Sequence, residues 1–288
     1  MLSASGFGER MQLDCPRGRF RVRLIPGPPG SQAVVLLHGW TATADLNWAG
    51  AYQELSQSFT VLAPDLAGHG ATRRGSVPFT LADLAKDVAA LLRQAASSGL
   101  VPTGPAVVAG YSMGGAVAQL LARDYPSAVS GLVLCATGAR FFPSTISIHL
   151  QRLAIHGLSV GAAGLPDAVS RGIWEWLLSA RAERLDQGVR EEIASASISS
   201  LLGAAAALRS FDSRSWLQDV GLPAAGVFTI QDKVVPPAAQ KELFGSLKAL
   251  VEVFELDGGH SVCLDRPSAF SGVLTQACAS VAGSQALV

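Results

Sequence analysis

Short runs of apolar residues bounded by glycine and proline alternate along this chain with longer segments that repeat apolar positions every three to four residues. The short runs, at Arg19–Ile25, Ala33–Leu37, Phe59–Ala63, Ala106–Ala109, Gly131–Ala136, Ala225–Ile230 and Val251–Leu256, predict β-strands. Leu81–Ala96, Gly114–Arg123, Ala238–Leu247 and Pro267–Val281 predict helices between or after them. Strands alternating with helices imply a mostly parallel, doubly wound α/β sheet, because right-handed crossovers place helices on both faces.

One interval breaks this rhythm. From about Phe141 to Leu217 no strand pattern occurs, while helical periodicity recurs at Ile173–Arg184, Val189–Ser200 and Leu201–Phe211. A wholly helical insertion after the sixth strand of such a sheet is expected to form a small lid. The expected division is therefore 1–138 and 218–288 as one core, with 139–217 as a helical cap. The cap is apolar, with Trp174, Trp176, Leu177 and Leu178 close together, and these tryptophans read as packing of lid on body.

Composition narrows the classes of function. Of 288 residues, 49% are hydrophobic and 15% charged, and 22 basic side chains balance 22 acidic ones. That is globular composition with no basic stripe, so nucleic acid is not an expected partner. No apolar run approaches the roughly 18 residues that span a bilayer, so no integral membrane association is expected. Met1–Met11 lacks the order of a secretory signal, and a cytoplasmic location is expected. Cys15, Cys135, Cys263 and Cys278 stand far apart, which suits free thiols. Without a metal-ligand cluster or a dinucleotide glycine pattern, no metal or cofactor is expected.

The strongest chemical signal is Gly110-Tyr111-Ser112-Met113-Gly114-Gly115, lying between a strand and a helix. A serine at a sharp strand-to-helix turn projects its hydroxyl, and glycines two residues before and after leave room for crossing backbones. Such a hydroxyl needs a base beside it and an acid to orient that base. Of the five histidines, His260, in Leu256-Asp257-Gly258-Gly259-His260, follows the serine from just beyond the terminal strand. Asp232, beyond the preceding strand, is the expected acid. Asp257 is the alternative, and otherwise reads as a turn-capping side chain. Two backbone amides should face the developing oxyanion, that of Met113 at the helix start and that of Trp40 in His38-Gly39-Trp40. His38 itself reads as a structural hydrogen-bonding residue, and Cys263 as a packed thiol near the site.

With these motifs the chain resembles the α/β-hydrolase superfamily, in particular its esterases, lipases and cofactor-free perhydrolases with an HGW oxyanion loop and a GxSMGG elbow. The resemblance covers nearly the whole chain except the lid. It implies an α/β-hydrolase fold, with Ser112 as nucleophile, Asp232 as acid, His260 as base, and Trp40 and Met113 as oxyanion donors. It also covers Asp65-Leu66-Ala67-Gly68-His69-Gly70 after the fourth strand, a stretch such proteins use structurally, so Asp65 and His69 are not expected to be catalytic. Serine at the nucleophile position disfavours dehalogenase and epoxide-hydrolase chemistry, which needs aspartate there. The absence of Gly-Pro-Gly after His38-Gly39 disfavours carbon-carbon bond hydrolysis.

The expectation is a carboxylesterase-type serine hydrolase acting on a small to medium hydrophobic ester or acyl substrate through an acyl-enzyme. The alternatives are the same triad serving a thioesterase, lactonase, perhydrolase or carbon-carbon hydrolase, and a receptor-like binding protein with little turnover. The apolar residues Phe141, Phe142, Ile146, Ile148 and Leu150 at the start of the lid favour the hydrophobic substrate. Oligomeric state leaves no mark in this pattern.

Overall fold

The structure, a computed structural model, describes residues 8–15, 18–70, 72, 80–142 and 198–284. These form an eight-stranded sheet from β1 (Glu9–Cys15), β2 (Gly18–Ile25), β3 (Ala33–Leu37), β4 (Thr60–Pro64), β5 (Ala106–Tyr111), β6 (Val129–Cys135), β7 (Ala224–Thr229) and β8 (Leu250–Leu256). The order across the sheet is β1-β2-β4-β3-β5-β6-β7-β8. β2 pairs antiparallel with β1 and with β4, and every later pairing is parallel.

The apolar pattern gives five strands ahead of residue 139; the sixth is β1. Its inward positions Met11, Leu13 and Cys15 alternate with the exposed Arg10, Gln12 and Asp14, as an edge strand with one wet face requires. β6 is consequently the sixth strand. Of the expected lid, residues 143–197 lie outside the described ones, including Ile173–Arg184, the tryptophans at 174 and 176, and Ile146, Ile148 and Leu150. Within the described part, one helix runs unbroken over Ile198–Arg209, where the periodicity had placed a break between Ser200 and Leu201. Serine costs a helix interior only a few tenths of a kcal/mol relative to good formers, too little to end it.

Among the described residues the α-helices are α1 (Ala44–Trp48), α2 (Tyr52–Leu55), α3 (Leu81–Ser97), α4 (Met113–Asp124), then Ile198–Arg209 as α5, α6 (Pro237–Gly245), α7 (Val262–Asp265) and α8 (Pro267–Gly283). Thr80 and Asp83 form a reciprocal capping box that starts α3. Period-2 alternation within the central strands feeds two cores. Val35, Leu37, Val108, Leu132 and Leu134 pack with α3 and α4, while Val34, Leu36, Val107, Ala109 and Val133 pack with α1, α2 and α8. Burial on both faces explains why these strands read as continuous apolar runs.

Register sets the site. Leu37 lies opposite Gly110, Tyr111 opposite Cys135, Cys135 opposite Val227, and Thr229 opposite Leu256. The carboxyl ends of β3, β5, β6, β7 and β8 thus finish along one rim, and the segment following each strand supplies one part of the site. In open α/β sheets that rim is where ligands gather.

Candidate active site

Ser112 follows β5 with φ 52° and ψ −114°, a conformation that costs a non-glycine residue on the order of 1–3 kcal/mol. The neighbourhood enforces it. The Ser112 amide donates to the Cys135 carbonyl at 2.9 Å, and its carbonyl accepts from Thr137 Oγ1 at 2.8 Å and from the Gly115 amide at 2.9 Å. A Cβ on Gly110 would overlap the Gly114 carbonyl, and one on Gly114 would overlap the Leu37 carbonyl. Both glycines of the elbow are therefore demanded by backbone approach.

His260 stands just past β8 with Nε2 3.0 Å from Ser112 Oγ and Nδ1 2.8 Å from Asp232 Oδ2. Asp232 is only 3% exposed. Burial alone would raise its carboxyl pKa, but the hydrogen bond and charge of His260, with the Val235 and Val234 amides, hold it below the usual value. An ionised carboxylate can only accept, so His260 Nδ1 carries the proton it donates to Asp232. Nε2 is then left to accept from the Ser112 hydroxyl.

The structure thus brings Ser112, His260 and Asp232 into one hydrogen-bonded chain and leaves Asp257 outside it. Asp257 instead accepts from Gln231 Nε2 at 2.6 Å and from Arg266 Nη1 at 3.0 Å on the surface. His38 is wholly buried; its Nδ1 donates to the Gly39 carbonyl at 2.8 Å and its Nε2 accepts from the Leu66 amide at 2.8 Å. Asp65 accepts from the Ala44 amide at 3.0 Å and pairs with Arg21, while the His69 ring meets the His38 ring edge-on at 5.2 Å. These residues join β2, β3 and the segment after β4.

Met113 opens α4, where a first-turn amide has no intrahelical acceptor and the helix dipole favours an anion. Gly39 brings the β3 loop over the serine: a Cβ built on it would lie 3.4 Å from Ser112 Cβ. Trp40 follows, with 42% of the residue exposed at the rim.

Asn47 and Tyr111, to which the sequence pattern assigned no role, hold this arrangement. Asn47 Oδ1 accepts from the Gly39 amide at 2.7 Å, while Asn47 Nδ2 reaches Cys263 Sγ at 3.5 Å. One buried amide therefore ties the β3 loop to α7, just after His260. Tyr111, whose phenol burial keeps protonated, donates to the His260 carbonyl at 2.6 Å. Burial pushes the Cys263 thiol up to about 11, so it is a packed thiol. The signal available beforehand was a polar residue inside an otherwise apolar stretch, which names no partner. Among the described residues, no group of three or more His, Cys, Asp or Glu side chains could hold a metal ion, and no helix is long and apolar enough to cross a membrane.

A mostly parallel sheet carrying a serine elbow, with histidine and aspartate from the last two strand ends, defines a class of hydrolase fold. The chain belongs to the alpha/beta hydrolase family, whose description it matches over residues 34–273. It is 30% identical over 212 residues to a pimeloyl-[acyl-carrier protein] methyl ester esterase of Sodalis glossinidius, covering 72% of this chain and 78% of that one. Its structure resembles that of a hydrolase from Pseudomonas aeruginosa PA01, with a TM-score of 0.73 at 25% identity over 95% and 98% of the two chains. An enol-lactonase from Burkholderia xenovorans LB400 shares the fold, with a TM-score of 0.73 at 21% identity, covering 92% of this chain and 98% of that one.

Proposed function

We propose that this protein is a serine hydrolase that cleaves a carboxylic ester of a small to medium hydrophobic substrate through an acyl-enzyme. The observation that carries the reading is the chain Ser112 Oγ to His260 Nε2 at 3.0 Å and His260 Nδ1 to Asp232 Oδ2 at 2.8 Å. In this mechanism Ser112 Oγ bonds to the ester carbonyl carbon as its proton passes to His260 Nε2, and Asp232 steadies the imidazolium. The carbonyl oxygen takes the negative charge, facing the Trp40 and Met113 amides. When the tetrahedral intermediate collapses, the carbon-oxygen bond to the alcohol breaks, and His260 returns the proton to that leaving oxygen. Water then attacks the acyl-Ser112 carbonyl and gives its proton to His260. The bond from the carbonyl carbon to Ser112 Oγ then breaks, His260 returns the proton to Oγ, and the carboxylic acid leaves.

Apolar side chains on the rim support a hydrophobic substrate. Trp40 after β3, Phe142 after β6, and Ile230 and Val234 after β7 are 42%, 40%, 40% and 64% exposed. Residues 139–217 are read as a cap over this rim. The four cysteines are unpaired, which supports a cytoplasmic setting.

The test is hydrolysis of a panel of aryl and alkyl esters, with a thioester and a lactone alongside, by wild type and Ser112→Ala. The expected result is the highest kcat/KM on an ester, and a loss of roughly 10³-fold or more in a folded Ser112→Ala protein. Undiminished hydrolysis by Ser112→Ala overturns the mechanism, and preference for the thioester or lactone overturns the ester assignment.

A further inference from the structure

We propose that Thr229 and Gln240 are positioning residues that aim the Asp232 carboxylate at His260 through a directed hydrogen-bond relay; this inference rests on the triad reading above. Thr229, the last residue of β7, and Gln240, on α6, are both 0% exposed. Gln240 Nε2 donates to Thr229 Oγ1 at 2.8 Å and to the Val235 carbonyl at 2.8 Å, while Gln240 Oε1 accepts from the Thr229 amide at 3.1 Å. Thr229 Oγ1 lies 3.0 Å from Asp232 Oδ2, the same oxygen that His260 Nδ1 addresses at 2.8 Å.

Donor and acceptor chemistry gives this cluster one direction. The reverse amide orientation of Gln240 would set oxygen against the Val235 carbonyl and NH2 against the Thr229 N–H, two repulsive contacts. With the amide so fixed, its nitrogen can only donate, and Thr229 Oγ1 must accept. The threonine's own hydrogen is then free for Asp232 Oδ2. The other carboxylate oxygen, Oδ1, accepts from the Val234 and Val235 amides at 2.8 and 2.9 Å. Backbone therefore holds one oxygen, and the relay holds the oxygen that orients the imidazole. Without Thr229's hydroxyl, Oδ2 loses its second strong donor, and the carboxylate can tilt out of the imidazole plane. Gln240 Nε2 itself is 3.5 Å from Oδ2, too far to replace the hydroxyl.

The separating variants are Thr229→Val, which keeps the shape and deletes the hydroxyl, and Thr229→Ser, which keeps the hydroxyl and deletes the methyl. Wild type, both variants and Gln240→Met are compared on p-nitrophenyl butyrate, and by the rate at which a fluorophosphonate labels Ser112. Loss of one hydrogen bond to a charged group predicts about 10-fold lower kcat and labelling rate for Thr229→Val, with KM within about twofold of wild type. Thr229→Ser recovers to within about threefold of wild type. Gln240→Met loses about as much as Thr229→Val, and a variant carrying both Thr229→Val and Gln240→Met, measured alongside, loses no more than the worse single one, because both act through one hydroxyl. If Thr229→Val does not fold, Gln240→Met carries the same expectation. Wild-type kcat and labelling rate in Thr229→Val or Gln240→Met overturn the inference, as does Thr229→Ser being as slow as Thr229→Val. Ser112→Ala separates the two levels: if it still hydrolyses the ester, the triad reading fails, whereas an unimpaired Thr229→Val enzyme with Ser112 essential removes the relay alone.

Discussion

Lowering the pH from 7 to 5 should destabilise this fold through His38. The side chain is wholly buried, and burial, followed by a weaker unfavourable influence of Arg21, outweighs its bond to the Gly39 carbonyl and pushes its pKa from 6.5 down to about 4. Folded His38 is therefore still neutral at pH 5, while the unfolded imidazole is almost wholly protonated. A depressed value means that the stabilisation is complete above the unfolded value of 6.5, and is lost as the pH falls toward the folded value. Between pH 7 and 5 the loss is about 2 kcal/mol, since each pKa unit corresponds to about 1.4 kcal/mol. His69, fully buried against His38, is pushed from 6.5 to about 3 by burial and by its neighbour. It contributes about 2 kcal/mol more over the same interval. Both folded values lie below 5, so the loss over this interval comes mainly from protonation of the unfolded imidazoles. Together they take about 4 kcal/mol from a domain whose whole stability is of order 5–15 kcal/mol.

Urea unfolding followed by circular dichroism at pH 7 and pH 5, for wild type and His38→Gln, isolates the first contribution. His38→Gln starts less stable, because a flexible amide replaces the packed ring whose Nε2 accepts from the Leu66 amide. Its stability should nonetheless fall about 2 kcal/mol less than that of wild type between the two pH values. The other titrating groups are common to both proteins, and His69, whose depression comes first from its own burial, contributes in both. Equal losses in the two proteins would refute the assignment of His38 as a buried neutral imidazole.

The placement of the two aspartates predicts unequal costs. Asp232→Asn should lower kcat by about 10⁴-fold by favouring the wrong histidine tautomer, whereas Asp257→Asn, altering only surface contacts to Gln231 and Arg266, stays within about twofold; the reverse order in steady-state turnover would move the acid to Asp257. Asn47→Ala should cut kcat by about 10- to 100-fold with little change in KM, because the Gly39 amide loses its acceptor and the β3 loop its tie to α7. Full activity on the same ester would show that the loop holds its shape without Asn47.

Strand ends were the legible part of this site. An apolar run followed by serine between glycines, then aspartate and histidine after later strands, fixes residue type, order and approximate place. Parallel register then brings Ser112, Asp232 and His260 to one rim. The central strands were readable for the same reason, being buried on both faces. β1 escaped because its three inward residues alternate with charged and polar ones over seven residues, a weak signal beside the apolar runs. Helices α1, α2 and α7 are 5, 4 and 4 residues long, too short to display a 3.6-residue period.

The supporting polar residues were hidden for a different reason. Asn47 meets Cys263 across 216 positions of sequence, and Tyr111 meets His260 across 149. Periodicity reports which face of an element is buried, and it assigns a buried amide or hydroxyl no partner. Yet a polar group fully out of water costs free energy unless it is hydrogen-bonded, so each such residue in an apolar setting implies an unseen partner. Thr229, closing the apolar strand Ala224–Thr229, was already such a residue, and Gln240, buried on α6, is its counterpart. What remained unreadable was the register of α6 against β7, which turns two ordinary polar residues into one directed contact on Asp232.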